Sequence, residues 1–143
     1  MIPSTCLKIV TKKFPIEEGE HEMLVNEGMY GLGICKYLTE KLPDAGFIVR
    51  NYIVEDWGWW LPIECESINM GLCIYSDLDV ESNQDPEKYA ILPSIQSRKS
   101  WSWKKFKSID QSEAVQMAMR EIAAVFMADP EVEAVTFHDD FPL

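Results

Sequence analysis

Glu55-Asp56-Trp57-Gly58-Trp59-Trp60 is the stretch of this chain whose residue types could do chemistry. Carboxylates beside indole rings are the components of a small-molecule or sugar-binding site, or of an acid–base site. The indole stacks on an apolar ring face, and the carboxylate bonds hydroxyls or moves a proton. Adjacent strand residues point to opposite faces, however, so Glu55 and Asp56 do not readily act as a pair in one cleft. A structural reading competes with this one. In it Gly58 supplies the special backbone conformation of a tight turn or bulge and Asp56 bonds the turn's own backbone. Trp57 or Trp59 then covers the core.

Other residues with chemical potential are weaker. The only basic run, Arg98 to Lys107, interleaves cations with Trp101, Trp103 and Phe106. That mixture stacks bases while neutralising phosphates. The formal net charge of −11 opposes it, because the rest of the chain would repel a polyanion. An intramolecular role for the strip, paired with acidic loops, is therefore the reading taken, and nucleic acid is not the expected partner. His21 and His138 both sit among carboxylates, a donor set that can hold zinc or manganese. A solvated histidine beside acids is the commoner outcome, so no metal or cofactor is assigned. No phosphate-binding glycine loop, nucleophile elbow or H-E-x-x-H occurs, and no catalytic residue is named. Whether the chain is an enzyme stays open, with the balance toward not. Cys6, Cys35, Cys65 and Cys73 contain no C-x-x-C pair. A hairpin turn at Ile68-Asn69-Met70 would set Cys65 opposite Cys73 within disulfide reach, and a reduced pair is the expected state in a cytosolic protein.

These residues need elements to hold them. Leu7 to Phe14 reads as a short strand ended by Pro15, and Ile16 to Glu27 as an acidic loop with one helical turn. Tyr30, Ile34, Tyr37, Leu38 and Lys41 fall on one face of a helix spanning 28–42. Phe47 to Val54 is a β-branched and aromatic strand. In Trp59 to Ser67, Trp59, Leu61, Ile63 and Cys65 alternate with Trp60, Pro62, Glu64 and Glu66. That pattern marks a half-buried antiparallel strand, with Pro62 at an edge, bulge or non-bonded position. Gly71 to Tyr75 and Lys88 to Ile95 add two strands around an acidic loop, 77–87. Asp110 and Glu113 fit a capping box for a second helix, whose stripe is Val115, Ala118, Met119, Ile122 and Phe126. Val132, Val135 and Phe137 suggest a last strand, and Asp139-Asp140 begins a frayed tail. The order β-α-β-β-β-β-α-β predicts an α+β two-layer sandwich, a mostly antiparallel sheet with two helices on one face.

Length and composition agree with one domain over 1–143, since 143 residues at 47% apolar can build a single core. No run of 18 apolar residues predicts a membrane span. Met1 to Thr5 lacks a basic region followed by an apolar stretch, so the cytoplasm is the expected compartment.

Glu-Asp-Trp-Gly-Trp at 55–59 resembles a motif of small bacterial proteins that have no established activity. The preceding helix, Leu32 to Leu42, and Gly46-Phe47 fit the same pattern, and the exit of the second helix through Asp129-Pro130 into Val135 fits loosely. The resemblance implies a compact α+β fold and no chemistry. With no catalytic constellation and strong acidity, the sequence favours a non-enzymatic protein-binding module, of immunity or inhibitor type, for a basic partner. Its candidate contacts are Glu55, Asp56, Trp57, Trp60, Asp77, Asp79, Glu81, Asp85, Trp101 and Trp103. The alternative is a small-molecule or sugar-binding protein or enzyme around Glu55, Asp56 and the neighbouring tryptophans. A third reading is a structural subunit that forms a homodimer through a strand edge.

Overall fold

The computed structural model describes residues 5–25, 29–65, 68–77, 85–95 and 108–143. Seven strands form one antiparallel sheet: β1 Cys6–Thr11, β2 Ile48–Val49, β3 Ile53–Val54, β4 Trp59–Cys65, β5 Ile68–Ser76, β6 Lys88–Ile95 and β7 Val132–His138. The spatial order is β2-β4-β5-β6-β1-β7, with β3 pairing β4 beside β2. A one-turn helix α1 (Glu20–Met23) precedes α2 (Leu32–Lys41), and α3 (Ser108–Met127) precedes β7. This is the α+β arrangement and element order that the sequence predicts, with two long helices against one face.

The apolar positions explain that layering. Leu7 and Ile9 of β1, Tyr89 and Ile91 of β6, Leu72 and Ile74 of β5, and Trp59, Leu61 and Ile63 of β4 are all buried. Successive strand residues face opposite ways, so these form one continuous apolar side, which is sealed by the helices. All five residues of the α3 stripe are buried, as the spacing requires. Helix α2 begins at Leu32 rather than Gly28 and buries Leu32, Ile34, Cys35 and Leu38. Tyr37 therefore sits at the margin of the buried stripe instead of at its centre. Helix α3 begins two residues before Asp110, which lies inside the helix and not at its cap.

Two further expectations fail for physical reasons. The strand over 47–54 is broken into β2 and β3, whose registers against β4 differ by one residue: Val49 faces Ile63, but Ile53 faces Trp60. Arg50 N–H still donates to Pro62 O, but Pro62 has no N–H to return, and the ladder lapses beside it. Strand β5 begins at Ile68, which pairs with Cys65, so 68–70 belong to the strand and not to a turn, and Cys73 lies opposite Trp60. Cys65 and Cys73 thus occupy opposite sides of the sheet, and all four cysteines are free thiols. Both outer edges are blunted. One is the broken β2/β3 strand; the other, β7, carries a register shift opposite Val10–Thr11 and the acid Glu133, with Glu131 just before it.

Polar anchors fasten the helices to the sheet. The Glu20 side chain is buried, and its Oε2 accepts the N–H groups of Gly31 and Leu32 at 2.9 and 3.0 Å, the open N-terminus of α2. Its Oε1 accepts Glu17 N–H at 3.0 Å. A carboxylate in this place satisfies orphan donors and meets the positive end of the helix dipole. Where α3 gives way to β7, Asp129 Oδ2 accepts the Tyr37 hydroxyl at 2.8 Å and Oδ1 accepts Glu131 N–H at 2.9 Å. Lys13 Nζ lies 3.2 Å from the carboxylates of both Asp129 and Glu131.

Glu20→Ala strands three buried or half-buried N–H groups and is expected to cost about 3 kcal/mol. Urea denaturation reads this directly, and a loss under about 0.5 kcal/mol would remove the anchor from the account. Hydrogen bonds from Glu131 N–H and Tyr37, with Lys13, hold the Asp129 carboxyl below the usual carboxylate range. A depressed carboxylate contributes stability above its ordinary pKa and loses it as pH falls through the folded value. The melting temperatures of wild type and Asp129→Asn should therefore differ at pH 7 and converge below about pH 4.

Candidate interaction face

The side of the sheet away from the helices is where the unusual sequence lies. Register places Ile53, Trp60, Cys73 and Leu92 in one row across β3, β4, β5 and β6 on this outer face. Tyr75, Ala90, Lys8 and Thr136 form the next row. Among the described residues no helix packs here. Trp60 is only half-buried and its ring lies flat over Gly71, whose missing side chain makes the room: a Cβ there would collide with the ring.

The Glu55-Asp56-Trp57-Gly58 segment is the turn between β3 and β4. Glu55 and Gly58 exchange backbone hydrogen bonds, at 2.7 Å from Glu55 N–H and 3.4 Å from Gly58 N–H, leaving Asp56 and Trp57 at the tip. Gly58 has φ 155° and packs against Ile74 O so closely that a Cβ would collide with it. The role assigned to glycine by the structural reading is thus the one it plays. The tryptophans then divide. Trp59 is fully buried on the helix side, where its Nε1 donates to Met29 O at 3.0 Å. Trp57 is half-buried on the outer side, 5.3 Å from the ring of Tyr75.

A third ring comes from the far end of the chain. Phe141 meets Tyr75 edge-on, centroids 4.9 Å apart at 85°. Because β6 and β1 lie between β7 and β5, the segment after His138 must turn back across the outer face to reach it. Cys6 on that face feels the crossing: burial, then the charges of Asp140 and Asp139, push its thiol pKa up. Burial likewise pushes the Cys73 thiol up to about 11. At pH 7 both are weak nucleophiles, so the thiols of this face are packing groups. Tyr75 and Phe141 were not among the candidate residues. Tyr75 could have been found from the alternation of β5, in which Ile74 and Tyr75 must face opposite ways. No periodicity marks Phe141.

The other candidates are distributed unevenly. Asp77 follows the last residue of β5, opposite Lys88, and so lies at the same end of the sheet as the β3–β4 turn. Asp85 is remote in role: its Oδ1 accepts Ile16 N–H at 2.9 Å and ties the loop before β6 to the one after β1. Asp79, Glu81, Trp101 and Trp103 lie outside the described residues, as does the rest of the basic run. His138 Nε2 lies 2.8 Å from Thr136 Oγ1. No three histidine, cysteine or acidic side chains come together as a metal site among the described residues. No helix among them is long and apolar enough to cross a membrane.

The helix side offers a second concavity, an open groove of about 500 Å³ lined by Tyr37, Lys41, Asp44, Val125, Asp129 and Pro130. Tyr37 and Asp129 are engaged there in the Lys13 anchor. Tyr37 also stacks on Phe126 at 5.4 Å. The groove is thus a by-product of the junction between the helices. No protein family, curated protein or solved structure matches the chain.

Gly58→Ala forces an L-residue into a positive-φ conformation against a backbone oxygen and should destabilise the fold by about 3 kcal/mol or more. An equilibrium urea transition within about 1 kcal/mol of wild type would mean that the turn has an easy alternative.

Proposed function

We propose that this protein is a non-enzymatic protein-binding module that docks a basic partner on the outer face of its sheet. The observation that carries the reading is the Trp57–Tyr75–Phe141 cluster on a face that no helix among the described residues covers, bordered by Glu55, Asp56 and Asp77. Aromatic side chains that remain partly exposed on an otherwise well-packed domain are the usual anchors of protein interfaces. Carboxylates around them favour lysine and arginine, and the formal charge of −11 steers such a partner from a distance. The blunted edges disfavour lateral strand addition, and the broad face is left as the surface for association.

The partner reading also decides which acids matter. Asp56 and Asp77 belong to the docking surface, whereas Asp85 serves the fold through Ile16. Charge reversal at Asp85 would therefore confuse binding with stability.

The test is an affinity capture from cell extract with wild type and Trp57→Ala in parallel. Retained proteins are identified at low and at high salt. A basic protein held by the wild type, released by salt and lost with Trp57→Ala is the expected outcome. Identical eluates from the two baits would overturn the docking face. Asp77→Lys, at the border of the cluster, should slow association with that protein severalfold while its dissociation changes little.

A further inference from the structure

The segment after β7 is usually the part of a domain with least to do, yet here it is built into the aromatic cluster. Phe141 keeps 46% of its surface exposed while its edge rests on Tyr75, so the ring is positioned by the fold and still presents a free face. The Asp139 and Asp140 carboxylates sit on the same outer face, near enough to Cys6 to raise its pKa. The β3–β4 turn approaches Tyr75 through Trp57, with Asp56 exposed at the tip. Two segments far apart in sequence, 55–58 and 139–141, thus converge on one tyrosine. Each brings an aromatic ring and carboxylate charge.

Among the described residues, the cations on this part of the face are Lys8 and Lys88, one on β1 and one on β6. Against them stand Glu55, Asp56, Asp77, Asp139 and Asp140. The balance is negative, and it surrounds exposed ring faces. A planar, delocalised cation fits such a place better than a compact one. Guanidinium stacks on an aromatic ring through its face while its edge donates to carboxylates, whereas ammonium is held by its own hydration.

We propose that the tail 139–143 and the β3–β4 turn form a two-part clamp for an arginine side chain of the partner. The guanidinium lies on the exposed rings of Phe141 and Trp57, and the Asp139, Asp140 and Asp56 carboxylates take its N–H groups. This assignment rests on the outer face being the docking surface, and it adds two things: arginine as the chemistry recognised, and the tail as a working part of the site. The tail is then a gain to binding, not a cover over the face.

The probe is an acetylated, amidated nine-residue oligoarginine, compared with oligolysine of equal length by fluorescence anisotropy at low salt. Wild type should bind oligoarginine at least fivefold more tightly than oligolysine. Truncation after His138, and Phe141→Ala separately, should weaken oligoarginine about tenfold and erase the preference for arginine. Asp139→Asn with Asp140→Asn should weaken both peptides. Glu113→Gln with Glu121→Gln, which removes equal charge from α3, should leave the arginine preference intact. Urea denaturation of each variant shows whether the fold is kept, and Cys6 alkylation, expected to accelerate on truncation, reports that the tail has left the face. Equal binding of the two peptides by the wild type would overturn the arginine assignment. Unchanged or tighter binding by the truncated protein would overturn the tail's role. In either case loss of the cellular partner with Trp57→Ala would leave the docking face standing, so the two failures are distinguishable.

Discussion

A sheet has two faces, and the two long helices of this chain cover only one of them. The rest of the structure follows from that inequality. Leu7, Leu61, Leu72, Ile74 and Ile91 are sealed beneath α2 and α3. Among the described residues, the opposite face is covered by side chains of the sheet and a short piece of following chain. Trp60 lies over a glycine and Trp57 and Phe141 lean on Tyr75. This covering is partial. It lowers the exposed apolar area without removing it, and Phe141 keeps nearly half of its surface open to solvent.

The covered side is held by polar contacts as well as by burial. Apolar packing is non-directional and would allow α2 to slide along the sheet. The Glu20 carboxylate removes that freedom, because its hydrogen bonds to Gly31 and Leu32 fix where the helix begins. Asp129 does the equivalent where α3 meets β7, joining Tyr37 of α2, Lys13 after β1 and the backbone of Glu131. One anchor sits at the start of α2, and the other reaches its last turns.

Legibility in the sequence followed the range of each interaction. The β4 alternation was readable because burial on one face imposes it residue by residue, and the α3 stripe was readable for the same reason with a helical period. The Gly58 turn could be read because the conformation demanded there excludes other residues. What stayed hidden depends on a neighbour in space. The break in the strand over 47–54 is set by Pro62 on β4. The β4–β5 register, with Cys65 opposite Ile68, has neither an Asn-Gly nor a Gly-Gly signal in the sequence to mark it. Glu20 looked like one acid among five in a loop, since nothing local says that its carboxylate reaches residues eleven and twelve positions on. Of the candidate site, Glu55, Asp56, Trp57 and Asp77 converge at one end of the sheet. Tyr75, on which the cluster is centred, was concealed inside an ordinary strand.

The return of the chain across the outer face has a bearing on how the molecule can be handled and joined to others. Phe141 rests against Tyr75, so polypeptide joined after Leu143 starts two residues beyond a ring of the aromatic cluster. A tag, a fluorescent label or a second domain fused there would start close in sequence to Phe141 and would crowd the ring contact with Tyr75. Experiments on association need their handles elsewhere. In a natural fusion, a neighbour attached at this point would be held against the sheet by the shortness of its connection, at a high effective concentration.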